Sequence, residues 1–278
     1  MAFFSRHSDG YPYDSFQPGG HPWRSDGAAG SGRGSNARRF FGIDNGGGHT
    51  STSIIIWISV IVAIAQWFIP AISQQLAFAP FLGMVQPWRF VTSALLHAGF
   101  WHIFFNMYAL WLIAKGLEPI LGKWRFMLLY VLAAVGGNVG VVLLSSPRLA
   151  SWYGGTVGAS GAVFGLFGAL LVIFHSVKSD STIPLLILIG INLVMGFMPG
   201  SGISWQSHVG GLVTGIVAAW LVLQFRRIGR RKRMLSSAHA VARDPRRREP
   251  NYVVRDLIAY AVVAVLLVVV AAWRYGVI

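Results

Sequence analysis

From about residue 53 onward the chain alternates between long apolar stretches and short polar breaks. A helix needs about 20 apolar residues to cross a bilayer. Seven runs approach that length: Ser53–Ile72, Phe100–Ala114, Trp124–Leu144, Val157–Val177, Thr182–Met198, Ile203–Phe225 and Leu257–Trp273. The pattern predicts an all-α membrane protein, a six-helix bundle with one further helix appended after a long basic gap. Residues 1–52 are a different material. They hold 11 of the 33 glycines and no sustained apolar run. Such a segment buries too little surface to offset its chain entropy, and without an apolar h-region it is not a secretory signal. The expected organisation is a disordered cytoplasmic tail over 1–52, a six-helix core over 53–226, a basic cytoplasmic loop over 227–255, and a seventh helix with an external end over 256–278.

Composition sharpens this picture. Of the 278 residues, 54% are hydrophobic and 12% charged, about half the charge of a soluble domain. The formal net charge is +14. A basic excess can mark a nucleic-acid partner, but here the bases cluster at the edges of apolar runs, as membrane proteins place them. With the N-terminus in the cytoplasm, 20 of the 23 lysines and arginines fall on that side, leaving Arg89, Arg148 and Arg274 outside. The expected partner is therefore the lipid bilayer and not nucleic acid, with the C-terminus external. The chain has no cysteine, which excludes a disulfide scaffold, a thiolate zinc site and a cysteine nucleophile.

In this topology the second, fourth and sixth helices all enter from the outer face, so polar residues near their N-terminal ends share one depth. His102 and Asn106 lie on the second, Ser160 on the fourth and His208 on the sixth. Polar groups inside a membrane are costly and tend to be paired or functional. The acids between these runs are Glu118 and Asp180, both at the cytoplasmic side. An aspartyl pair, a His-Glu-x-x-His zinc site and a Ser-His-Asp triad are thereby excluded, and no metal or cofactor is expected. A hydroxyl and an imidazole remain. Gly158 and Gly161 flank Ala159-Ser160 and leave the hydroxyl uncovered. His208 is placed to take the serine proton and return it to a leaving amine. His102 and Asn106, spaced i, i+4, share a helix face, where their N–H groups and that of Ser160 would serve as oxyanion donors. Gly161 and Gly165, facing Gly211 and Gly215, would let the fourth and sixth helices approach closely. Each feature alone has a plainer reading: a serine bonding its own helix, an asparagine as interhelical glue, a histidine at a helix end as an interfacial anchor, glycines as packing; His97, outside, is a rival base whose plainer reading is loop structure. Trp88 and Arg89 read as an interfacial anchor. The grouping at one depth favours a site.

These residues resemble the signature of the rhomboid intramembrane serine proteases. Trp88-Arg89 is similar to the family's Trp-Arg pair in the first outer loop. His102 and Asn106 match its His-x-x-x-Asn, Gly158-Ala159-Ser160-Gly161 its Gly-x-Ser-Gly, and His208-Val209-Gly210-Gly211 its histidine followed by glycines. The resemblance covers about residues 53–226. It implies a Ser160–His208 catalytic dyad, an oxyanion hole of His102, Asn106 and the Ser160 N–H, and Phe164 as an aromatic packed on the histidine ring. It implies transmembrane proteins as substrates, and the six-plus-one helix count is similar to many members. The composition of the tail points to a bacterial cell membrane. Two other classes compete. A non-enzymatic rhomboid-like binding protein would lack the serine or the histidine, and both are present. A transporter would be expected to couple through buried ionisable residues, and the acids for that are missing.

Overall fold

The computed structural model describes residues 50–198, 201–237 and 252–277. The expected tail, apart from its last residues, and the 238–251 part of the basic loop lie outside them. Seven longer helices appear where the apolar runs predict them: α1 (Thr50–Phe68), α2 (Phe100–Leu121), α3 (Lys123–Leu144), α4 (Ser160–Ser176), α5 (Thr182–Gly196), α6 (Trp205–Ser237) and α7 (Val253–Arg274). Four of them, α1, α3, α6 and α7, are long and apolar enough to cross a bilayer; α4 and α5 are apolar but shorter. Among the described residues, extended pairing is limited to one bridge, Phe78 with Thr156.

Helix α4 is the centre. Every residue from Gly161 to Leu170 is buried. It is enclosed by α3 and α6 through backbone-to-backbone contacts. A Cβ on Gly211 would run into the Gly161 carbonyl, and one on Gly215 into the Gly165 carbonyl. A Cβ on Gly140 would meet the Gly210 Cα at 2.7 Å. Lipid offers no hydrophobic drive to press helices together, so small residues that allow this approach are what hold such a bundle. The periphery is turned inside out relative to a soluble protein. Trp57, Ile61 and Trp67 on α1 are each more than 60% exposed, as a bilayer-facing surface allows. Helix α5 is held least, with Leu185, Ile189 and Gly196 as its buried residues and Phe197 stacked on Trp205 at 4.7 Å.

The buried acids among the described residues, Glu118 and Asp256, lie at one end of the bundle. Glu118, late in α2, accepts hydrogen bonds from the Ser51 N–H (2.8 Å) and the Thr52 hydroxyl (2.5 Å), so it caps the start of α1 with negative charge. Asp256, in the first turn of α7, is fully buried between two arginines. Arg125 Nε lies 2.6 Å away, and Arg226 reaches it through Nε (2.9 Å) and Nη2 (2.6 Å). These arginines, counted in the sequence only as orientation signals, tie α3, α6 and α7 together.

Helix boundaries depart from the apolar runs in informative ways. Helix α4 starts at Ser160 and not at Val157, because Gly158 has φ +122° and cannot be helical. Helix α6 continues to Ser237, past the end of the apolar run, because Arg and Lys are good helix formers. Part of the expected 227–255 loop is therefore helical.

Candidate active site

The site lies at the end of the bundle opposite Asp256. Ser160 is the first residue of α4 and is partly exposed. Its N–H therefore has no intrahelical acceptor. Gly158, two residues earlier, is specified twice. Its φ of +122° suits glycine, and an added Cβ would stand 2.7–2.8 Å from Cε1 and Nε2 of His102 and 3.8 Å from Ser160 Oγ. The His102 Nε2 edge and the serine hydroxyl thus flank the same small space. The Gly158 N–H donates to the Ser93 carbonyl at 2.9 Å, and the Asn138 amide donates to Ser93 Oγ at 2.8 Å.

The protonation of His102 follows from its other nitrogen. The Ala98 backbone N–H donates to Nδ1 at 3.2 Å, so Nδ1 is an acceptor. In the neutral ring the proton then sits on Nε2, which lies beside Gly158. His102 is held as a donor toward that space. Asn106 is buried on the same helix face, with its amide donating to the His102 carbonyl at 2.8 Å. An amide has two N–H donors, so one remains for other use.

His208 is buried near the start of α6 and stacks on Phe164 with ring centroids 4.1 Å apart and planes 13° apart. Phe164 is one turn beyond Ser160 on α4. The preceding residue, Ser207, packs against Gly161 and Gly137; its Oγ would be 2.7 Å from a Cβ on Gly137. The glycine seam therefore brings the α6 segment carrying His208 against the first turn of α4. His208 Nδ1 has no hydrogen-bond partner among the described residues, so the face of Phe164 orients the ring. Contacts thus join Gly158 to His102, Gly161 to Gly211 and Phe164 to His208, while Asn106 bonds within its own helix.

One expectation is filled out and one changes. His97, read as loop structure, is in a loop, but its ring is buried and meets His102 edge-on at 5.2 Å. Burial, and then the neighbouring His102 ring, push its imidazole down to about 4, so it adds no positive charge at neutral pH. Gln66 of α1 grips its backbone: the His97 N–H donates to Gln66 Oε1 at 3.0 Å, and Gln66 Nε2 donates to the His97 carbonyl at 3.4 Å. Arg89, read with Trp88 as an interfacial anchor, is 4% exposed. It points inward and donates to Gln86 Oε1 and, at 2.5 Å, to the Ala77 carbonyl, because this loop has carbonyls that no helix satisfies. Trp88 keeps the exposed position. The sequence reading passed over Gln66 and Asn138, although each is an isolated amide in an apolar run, the signal used for Asn106. An apolar groove of about 490 Å³ between α1 and α2, lined by Ile64, Trp67, Phe104 and Tyr108 among others, holds neither the serine nor a histidine.

Comparison with known proteins places this region in a recognised family. The family model described as the Rhomboid domain matches residues 85–225, which include all the site residues. The chain belongs to the rhomboid family. It is 36% identical over 141 residues to the putative rhomboid protease YdcA of Bacillus subtilis, covering 49% of this chain and 68% of that protein. It is 31% identical to the rhomboid protease GluP of the same organism, covering 65% of this chain and 32% of that one. It is 30% identical to the mitochondrial RHOMBOID-like protein 6 of Arabidopsis thaliana, over 66% of this chain and 59% of that protein. With four helices able to span a bilayer, this rhomboid is an integral membrane protein, and its relatives support an intramembrane protease.

Proposed function

We propose that this rhomboid is a serine endopeptidase that cleaves transmembrane proteins near the outer membrane face, with Ser160 as nucleophile and His208 as base. The observation that carries the reading is the close backbone approach of α4 to α6 at Gly161–Gly211 and Gly165–Gly215. It sets the His208 ring on Phe164, one turn from a partly exposed serine at a helix start. Ser160 Oγ attacks the scissile carbonyl carbon while His208 takes its proton. The carbonyl oxygen becomes an oxyanion and is met by His102 Nε2–H, Asn106 and the Ser160 N–H. Collapse breaks the C–N bond, and His208 returns the proton to the leaving amine. Water, deprotonated by His208, then hydrolyses the acyl-serine. Among the described residues no carboxylate bonds His208 Nδ1, so the transient imidazolium leans on the Phe164 face, a cation–π contact worth about 0.5–2 kcal/mol. The helix start adds positive potential where negative charge develops.

The basic residues support the orientation, with the Ser160 end outward. The test is a single-span substrate tagged at both ends and expressed with the protease in cells. The wild type should release the outer tagged fragment to the exterior. Ser160→Ala and His208→Ala should each release none while accumulating in the membrane at wild-type levels. Substantial release by Ser160→Ala would end the dyad assignment, and a fragment released to the cytoplasm would reverse the orientation.

A further inference from the structure

Helix α7 lies beyond the matched 85–225 core, yet it is fastened at both ends. Its first turn holds Asp256 between Arg125 and Arg226. Its last turn holds Arg274, which donates through Nη2 to the Ser145 carbonyl at the end of α3 (3.1 Å) and lies over the Trp152 ring at 5.0 Å. Tyr275, the next residue, donates its hydroxyl to the Pro80 carbonyl at 2.6 Å. Its ring meets Trp152 edge-on at 6.1 Å. Partial burial pushes its phenol up to about 12, so the hydroxyl stays a donor at any physiological pH. Gly83 has no room for a side chain, because a Cβ there would overlap the Tyr275 hydroxyl.

The contacts continue from Tyr275 to the serine. With Phe90, Tyr275 packs on a second apolar cluster of Phe78, Val141, Val142 and Trp152, separate from the main core. Phe78 is fully buried and pairs with Thr156 through two backbone hydrogen bonds, of 3.0 and 2.6 Å. Two residues later comes Gly158, against His102, and then Ser160. The segment that enters α4 is therefore held from below by Ser93 and from the side by a strand-like contact whose other partner rests on α7.

We propose that α7 is a strut for the outer loops and that Tyr275 is a positioning residue, holding Thr156–Gly158 so that Ser160 and the His102 donor keep their register. This rests on the Ser160–His208 reading. The pairing Phe78–Thr156 is short and isolated, and an isolated two-stranded contact is marginal unless something packs on it. The cluster closed by Tyr275 is what packs on it here.

The test uses the full chain in proteoliposomes, a designed single-span peptide with Gly, Ala and Ser in its outer third as probe, and a fluorophosphonate to count reactive Ser160. Tyr275→Phe removes the hydroxyl alone. Its kcat should fall about tenfold, the effect of one neutral hydrogen bond felt in the transition state. KM, the melting temperature and the final extent of Ser160 labelling should stay at wild-type values while the rate of labelling falls. Gly83→Ala, which displaces the same hydroxyl, should reproduce the loss, and combining the two should give less than the product of their effects. Wild-type kcat in Tyr275→Phe overturns the proposal. So does a loss of activity matched by fewer labelled serines and a lower melting temperature, which would make Tyr275 a stabiliser only. Ser160→Ala is run alongside: cleavage by that variant would refute the dyad and not the strut.

Discussion

Gly158 is where backbone and chemistry meet in one residue. Its positive φ and the His102 ring beside it leave no place for a Cβ. Gly158→Ala should therefore push His102 out of donor position, and cleavage should fall about 10²-fold or more, the range for loss of one oxyanion donor. Membrane accumulation should hold, because the change lies at a loop. Cleavage within a fewfold of wild type would show that His102 is not needed where it stands. Asn106 poses the opposite question. Its amide is bonded to the His102 carbonyl, which suits a residue that stabilises its own helix as well as one that donates to substrate. If it donates, Asn106→Ala should lower kcat by about tenfold to a hundredfold with Ser160 labelling extent unchanged, less than the loss of a sole donor because His102 and the Ser160 N–H share the charge. Full-rate cleavage would make Asn106 a packing residue.

The glycines of α4 and α6 do at the element level what the serine and histidine need. Gly211→Ala would place a methyl against the Gly161 carbonyl and force the helices apart. Overpacking of this kind costs about 1–3 kcal/mol, so the melting temperature and the activity should fall together. Gly190, on the loosely held α5, has nothing within 4 Å of an added Cβ. Gly190→Ala should leave the melting temperature unchanged or raise it, since Ala is the better helix former by about 1 kcal/mol. Equal effects of the two substitutions would disprove the close-contact account. The spacing of these glycines was legible in the sequence, and so were the apolar helices, because periodic small residues and long apolar runs are local signals. Arg89 and Asp256 were not. An inward arginine and a buried aspartate owe their positions to partners elsewhere in the chain, the Ala77 carbonyl in one case and Arg125 with Arg226 in the other. His97 is in a loop, as the sequence suggests, but only folding shows that the loop turns its ring onto His102.

For the whole molecule the governing constraint is where the candidate site sits in the membrane. Ser160, His102 and His208 each lie within the first turn of a helix that enters from the proposed outer side, so the dyad should lie a short way below the outer surface. A scissile bond must reach it extended, because a helix locks its carbonyls in i→i−4 hydrogen bonds. Unwinding within lipid leaves backbone groups without water partners, so the energy of local unwinding should dominate substrate choice. Gly weakens a helix by about 1 kcal/mol relative to Ala, and Pro by about 3. Replacing the Gly, Pro and Ser residues in the outer third of one cleaved single-span substrate with Leu should therefore cut the rate sharply while insertion is unchanged. The same replacements in the inner third should do little, since that part never has to enter the site. Cleavage rates and insertion levels measured side by side for the two sets decide it. Equal cleavage of the Leu-filled outer segment would mean that recognition rests on a sequence bound outside the membrane and not on helix instability.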